Sequence, residues 1–135
     1  MRRALLLGQA GLALACGVAP AASASQQTGL AFGRLGGNIR PYTVTIAADG
    51  RVSFSGPVQV GRTKLTQAQV GGLVKLAADV RFATLPKTTN CTGALPDVAS
   101  TFVRVGARTV RVHGNCIPRY ARLWKALGSA VKLSS

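Results

Sequence analysis

Few residues of this chain could carry acid–base or nucleophilic chemistry. The sequence has no Glu, three Asp and a single histidine, His113. The one set that fits acyl transfer is Ser100 as nucleophile, His113 as base and Asp97 as the orienting carboxylate. No nucleophile elbow accompanies these residues, and no motif marks an oxyanion hole. The sequence therefore predicts a protein that is not an enzyme and leaves a hydrolase centred on His113 as the alternative.

The cysteine count predicts one disulfide. Cys16 lies in the leading segment considered below, so Cys91 and Cys116 form the pair that remains. The competing interpretation is a metal site in which His113 and Asp97 join both cysteines, because thiolate, imidazole and carboxylate groups are all zinc ligands. The chain has no C-x-x-C motif, so the sequence favours the disulfide and predicts neither a metal nor a cofactor.

Residues 1–24 have the pattern of a secretory signal peptide. Two arginines precede the uncharged, mostly apolar residues 4–18, and a small-residue A-x-A pattern ends at Ala24. The apolar run is about fifteen residues long, which is shorter than the roughly twenty that a membrane-spanning helix needs. We therefore expect cleavage after Ala24 and export to the envelope, the periplasm or the medium. Lipid attachment at Cys16 is the alternative.

The charge balance is strongly positive. The chain has 17 Lys and Arg residues against 3 acidic ones, a formal net charge of +14. Loss of residues 1–24 leaves 15 basic and 3 acidic side chains on residues 25–135, a net charge of +12. The positive electrostatic field of such a domain attracts anionic polymers, lipid headgroups or acidic proteins. The other interpretation is that the charge only keeps the domain soluble.

The cations that are best placed to act together lie on a predicted sheet face and on the last predicted helix. There we expect an anion-binding surface made of Arg104, Arg111, Arg119, Arg122 and Lys125. Sequence-specific recognition of nucleic acid is not expected, because base stacking needs aromatic side chains among the cations. Phe102 is the one aromatic residue that the pattern places beside them.

The first half of the mature chain predicts strands. A short strand over residues 30–34 is followed by a hairpin, because apolar side chains alternate over residues 42–46 and again after the Asp49-Gly50 turn. A further edge segment is expected over residues 58–61.

A helix and a loop follow the first hairpin. Thr66 and Gln69 fit a capping box, and apolar residues then recur at helical spacing as far as Val80. Residues 86–96 predict a loop that the disulfide tethers. Within this loop, residues 87–95 are the candidate for a protruding segment, which supports a further alternative function, the inhibition of an extracellular or periplasmic enzyme.

The second hairpin is predicted together with its register. A two-residue turn that begins at Gly106 places Val103 opposite Val110 and directs both side chains to the core. The same register places Thr101 opposite Val112. The opposite face then presents Phe102, Arg104, Thr109, Arg111 and His113.

A second helix completes the predicted fold. Pro118 suits its first turn, and its apolar stripe consists of Tyr120, Leu123, Trp124, Leu127 and Val131. The order β-β-β-α-β-β-α contains no β-α-β alternation that would demand a parallel sheet. We therefore expect one α+β domain, residues 25–135, with a mainly antiparallel sheet of four to five strands and two helices packed on one face.

These elements resemble a bacterial domain-of-unknown-function family of small exported α+β domains, over residues 29–131. The resemblance is carried by residues 42–46 with the turn Asp49-Gly50-Arg51-Val52, the helix capped by Thr66, Phe82 just beyond it, and residues 101–112 before the last helix. It implies a fold and an exported location, and no agreed activity or catalytic residues. With the charge, it predicts an exported, disulfide-linked domain that binds an anionic partner at the cell surface or envelope.

Overall fold

The computed structural model describes residues 28–134. The predicted signal peptide, residues 1–24, and the alternative of lipid attachment at Cys16 lie outside the described residues. The strands are β1 (Leu30–Leu35), β2 (Tyr42–Ile46), β3 (Val52–Ser55), β4 (Gln59–Val60), β5 (Thr88–Asn90), β6 (Ser100–Val105), β7 (Arg108–His113) and β8 (Leu133–Ser134). The helices are α1 (Gln67–Asp79) and α2 (Pro118–Val131), and a 3₁₀ turn covers Phe82–Thr84.

Six of these strands form one sheet in the order β3-β2-β1-β6-β7-β5. Its neighbours are antiparallel except β5, which runs parallel to β7. The strands β4 and β8 form a separate antiparallel pair. The predicted α+β class with a mainly antiparallel sheet is confirmed. The predicted sheet of four to five strands is corrected to six strands in the main sheet and two in a second sheet. The predicted order β-β-β-α-β-β-α is corrected to β-β-β-β-α-β-β-β-α-β.

One strand that sequence reasoning missed, β5, has no apolar side chain. β5 has the sequence Thr-Thr-Asn and lies within the segment that was predicted as a loop. Backbone bonds hold it against β7: the Arg111 amide donates to the Lys87 carbonyl at 2.8 Å, and the Cys91 amide donates to the His113 carbonyl at 2.8 Å. A short edge strand of this kind is defined by hydrogen bonds to its neighbour, so burial periodicity gives no sign of it.

Both predicted hairpins are present. In the second, Val103 faces Val110 and Thr101 faces Val112, which confirms the predicted register. Gly106 occupies the turn with φ 58°, a left-handed conformation that glycine adopts without steric cost. In the first, β2 and β3 pair antiparallel around the Asp49-Gly50 turn, as the alternation predicts.

Local hydrogen bonds explain where the first helix begins. The Gln69 amide donates to the Thr66 hydroxyl oxygen at 3.1 Å, and the Thr66 amide donates to the Gln69 side-chain oxygen at 2.8 Å. This reciprocal pair is a capping box, and it satisfies two backbone donors that a helix start would otherwise leave unpaired. The second helix begins at Pro118, as predicted, because the missing proline N–H is not needed in the first turn.

One apolar core lies between the helices and one face of the main sheet. It contains the side chains that alternate on that face, including Phe32, Val44 and Val103, together with Leu73 of α1 and Leu123 of α2. Within residues 28–134, no helix packs on the other face of this sheet, which we call the open face.

A disulfide links the end of β5 to the turn before α2. Cys91 and Cys116 are bonded, with their Cα atoms 5.7 Å apart, as the cysteine count predicted. The bond therefore ties the parallel edge strand to the start of the second helix. Within residues 28–134, neither helix is long and apolar enough to cross a membrane.

Candidate functional site

The three residues of the alternative hydrolytic set, Ser100, His113 and Asp97, have different surroundings in the structure. The Nε2 atom of His113 lies 2.9 Å from the carbonyl oxygen of Leu95, so this ring nitrogen is engaged with the main chain. Ser100 is buried on β6, where it pairs with Leu35 of β1, and Asp97 is exposed in the preceding loop. Among residues 28–134, no hydrogen bond joins Ser100, His113 and Asp97.

The predicted alternative of a metal site also finds no support in the geometry. Cys91 and Cys116 are bonded to each other, so neither can offer a thiolate to a metal. In the part of the chain that the structure describes, no group of three or more His, Cys, Asp or Glu side chains could hold a metal ion.

The segment proposed as an inhibitory loop is only partly a loop. Its residues 88–90 belong to β5. Beyond Cys91 the chain is irregular, with Leu95 exposed to 62% and Val98 to 48%. The irregular part of the segment is therefore shorter than residues 87–95 and lies after β5.

The open face is rich in hydroxyl groups and has a positive charge. It is formed by the strand residues that alternate with the core residues, Ala31, Gly33, Thr43, Thr45, Ser53, Ser55, Phe102, Arg104, Thr109 and Arg111. None of these positions is acidic. A hydroxyl group both donates and accepts hydrogen bonds, so this face can bond polar groups of either kind and attract anions.

A close approach at the centre of the open face fixes the position of Phe102. A Cβ atom added to Gly33 would lie 2.7 Å from Cε1 of Phe102 and 2.0 Å from the carbonyl oxygen of Tyr42. The ring of Phe102 therefore rests directly on the glycine backbone of β1. Phe102 is half-buried, so part of its ring remains open to a ligand.

The two arginines of the open face lie on either side of Phe102. Arg111 is directly opposite Phe102 in the β6–β7 register. A Cβ atom added to Gly36 would be 3.7 Å from Nη2 of Arg111, so this guanidinium reaches toward the end of β1. Arg104 lines a shallow depression with Thr45 of β2, toward the other end of β1. The two cations thus flank the aromatic ring along the sheet.

The three cations predicted on the last helix differ in their surroundings. Nη1 of Arg119 donates to the carbonyl oxygens of Val80 and Arg81, each at 3.1 Å, and to the hydroxyl of Thr84 at 2.9 Å. This side chain holds α2 against the 3₁₀ turn and is half-buried. Arg122 and Lys125 are exposed on α2. The five predicted anion-binding residues therefore do not form one surface.

A separate cleft opens at one end of α2, on the helix side of the sheet. It has a volume of about 460 Å³, and its wall includes Val112, Ile117, Trp124 and Tyr120. The cationic side chains of Arg34 and Lys125 also line it. Sequence reasoning assigned Trp124 to the buried stripe, but the indole is half-buried and forms part of this wall.

A hydrogen bond fixes one side of the cleft. The hydroxyl oxygens of Tyr120 and Thr101 are 2.9 Å apart. Burial raises the pKa of Tyr120 to about 12, and the hydrogen bond to Thr101 lowers it by less. The phenol is therefore neutral throughout the physiological range, and it supplies the cleft with a polar but uncharged group.

Sequence reasoning missed Arg34 as a candidate, although its strand contains the signal. Leu30, Phe32 and Arg34 alternate on the helix side of β1, so a cation stands where the apolar series would continue. Arg34 is exposed, because it lies at the end of the strand, beyond the core. The side chain at this position therefore lines the cleft instead of joining the core.

Fold and cross-link together define a small, disulfide-bonded, basic α+β domain. Comparison of the chain with protein-family models, with curated proteins and with solved structures gives no match. The resemblance to a domain-of-unknown-function family of small exported α+β domains therefore stays a prediction that rests on the sequence pattern.

Proposed function

We propose that residues 25–135 form an exported, non-catalytic domain that binds an anionic polymer at the cell surface or envelope through its open face. The observation that carries the proposal is the arrangement of Arg104 and Arg111 on either side of Phe102, on a sheet face that has no acidic residue.

The electrostatics of the whole domain support an anionic partner. All 15 basic and all 3 acidic side chains of the predicted mature chain fall within residues 28–134. In that range, one ion pair is formed, between Nε of Arg51 and Oδ2 of Asp49 at 2.8 Å. The remaining positive charge is not neutralised internally, so it speeds and strengthens encounters with anions.

The geometry of the open face supports an extended ligand rather than a compact one. Guanidinium groups bind carboxylates and phosphates with two parallel hydrogen bonds. Two of them, separated by an aromatic ring, match a chain in which anionic groups recur along flat or ring-shaped units. A polyuronate has this chemistry, because each sugar ring carries a carboxylate and can pack on Phe102.

The disulfide supports an oxidising location, because such bonds persist outside the cytosol. We expect the natural protein to begin at Ser25, since a signal peptidase would cleave after Ala24. Mass spectrometry of protein isolated from its source measures this directly. A chain that retains Met1 would contradict export by a cleaved signal.

Substitution of the two open-face arginines tests the binding proposal. The Arg104→Gln/Arg111→Gln double variant should bind polygalacturonate about tenfold more weakly, because each exposed charge pair contributes about 0.5 to 1 kcal/mol. Isothermal titration calorimetry over a range of salt concentrations should also show a smaller salt dependence than in the unmodified protein.

The matched control removes the same charge elsewhere. Arg62 follows β4 and Lys75 lies on α1, so neither belongs to the open face. An Arg62→Gln/Lys75→Gln variant should keep most of the affinity, and neutral dextran should not bind to any variant. Equal losses in both double variants would show that only net charge matters, and unchanged affinity in Arg104→Gln/Arg111→Gln would reject the open face as the binding surface.

A further inference from the structure

The cleft at the end of α2 is not used by the proposed polymer binding. It lies on the helix side of the main sheet, whereas Arg104 and Arg111 lie on the open face. Its volume, about 460 Å³, falls in the range of roughly 300 to 1,000 Å³ that is usual for small-molecule sites.

The wall of the cleft is mainly apolar. Ile117, Val112 and the half-buried ring of Trp124 line it. The buried ring of Phe32 makes a T-shaped contact with the indole, with ring centroids 5.4 Å apart and planes at 87°. This backing holds the indole in place, so the apolar wall exists before any ligand arrives. An apolar group that enters would remove hydrocarbon surface from water on both sides.

The charges that line the cleft have one sign. Arg34 and Lys125 contribute to its lining, and no acidic side chain does. Both cations are exposed, and neither forms an ion pair within residues 28–134. Polar groups that could accompany a headgroup are supplied by Asn115 and by the hydroxyl of Thr101.

We propose that this cleft binds a single molecule of a medium-chain monocarboxylate, with its hydrocarbon chain against Trp124 and its carboxylate between Arg34 and Lys125. The juxtaposition of an apolar wall with two cations and no anion selects an amphiphile of negative charge. A fully polar anion would leave the apolar wall in contact with water. A cationic amphiphile would be repelled by the positive charges of Arg34 and Lys125.

Tryptophan emission reports on this site alone, because the chain has a single tryptophan and that residue lines the cleft. Titration of the mature protein with decanoate, below the concentration at which it forms micelles, should give a saturable change in the emission of Trp124. Affinity should rise about fourfold for each methylene added from hexanoate through octanoate to decanoate, as hydrocarbon burial requires. Decylammonium should bind at least tenfold more weakly than decanoate.

Two variants separate the parts of the site. Arg34→Gln/Lys125→Gln should weaken decanoate binding five- to tenfold and reduce the preference over decylammonium. Ala121→Met places a larger side chain into the cleft while keeping a residue with high helix propensity, and it should abolish the chain-length dependence. Circular dichroism and thermal unfolding of each variant establish that it folds.

The Arg104→Gln/Arg111→Gln variant is the matched control, and it should bind decanoate as the unmodified protein does. Failure of polymer binding and failure of carboxylate binding are therefore separate results. The proposal is overturned if decanoate gives no saturable signal, if decylammonium binds equally well, or if Arg34→Gln/Lys125→Gln keeps full affinity. Binding to anionic vesicles without binding to monomeric decanoate would also overturn it, since it would show a membrane surface to be the partner.

Discussion

Removal of the bond between Cys91 and Cys116 is expected to lower the free energy of unfolding by about 3.5 kcal/mol, because the bond closes a long loop in the unfolded chain. The two cysteines are 25 residues apart in sequence. Small domains are stable by only about 5 to 15 kcal/mol, so this loss is a large share of the total.

Urea denaturation of the protein with and without a reductant measures this effect. The Cys91→Ser/Cys116→Ser variant should match the reduced protein, and reductant should not change its midpoint further. If the oxidised and reduced proteins unfold at the same urea concentration, the cross-link contributes nothing and the expectation fails. Polymer and carboxylate binding at low temperature should persist in whatever fraction remains folded.

The Phe32→Ala variant is expected to lose about 3 to 5 kcal/mol of stability, the usual cost of removing a fully buried aromatic ring. Phe32 has no exposed surface and makes an edge-to-face contact with Trp124. Its loss would leave a cavity behind the wall of the cleft. The indole would then have room to shift, so its emission should change even without a ligand.

Phe54→Ala is the control for this variant, because the same substitution is made where the ring is 48% exposed on the edge strand β3. Its cost should be below about 1 kcal/mol, since little hydrocarbon surface is returned to water. Chemical denaturation monitored by circular dichroism compares the two. Equal losses at both positions would show that the core between sheet and helices does not carry the stability that its burial indicates.

Local chemistry made the paired and capped elements predictable. The register of β6 and β7 follows from the Gly106 turn and the alternation of valines, which leave one pairing that buries Val103 and Val110 together. The start of α1 follows from Thr66 and Gln69, because both halves of a capping box lie within one turn. In each case, the residues that decide the structure are close in sequence.

The parts that were missed depend on contacts between distant segments. β5 exists because its backbone groups pair with β7, and its own side chains carry no signal. Arg119 and Arg122 are both arginines that the sequence pattern places on the polar side of α2. Arg119 nevertheless donates hydrogen bonds to the carbonyl oxygens of Val80 and Arg81. The cleft joins Arg34 of β1 to Trp124 of α2, and only the packing of the helix on the sheet brings them together.

The candidate surfaces illustrate the same division. Alternation alone placed Arg104 and Arg111 on one sheet face, and the structure keeps them there. Alternation does not show that the ring of Phe102 lies over Gly33, because that requires the antiparallel pairing of β1 with β6. The charge of the sequence thus led to the prediction of an anionic partner. The placement of the Phe102 ring relative to the two arginines required the three-dimensional structure.

The short parallel strand β5 has a consequence for self-association. An unpaired strand edge invites another chain to add a strand, which is a common route to fibrils. β5 covers the outer edge of β7, and the bond at Cys91 fastens it immediately after its last residue. The disulfide thereby helps to hold β5 against β7, so we expect reduction to make the edge of the valine-rich hairpin more accessible to neighbouring molecules.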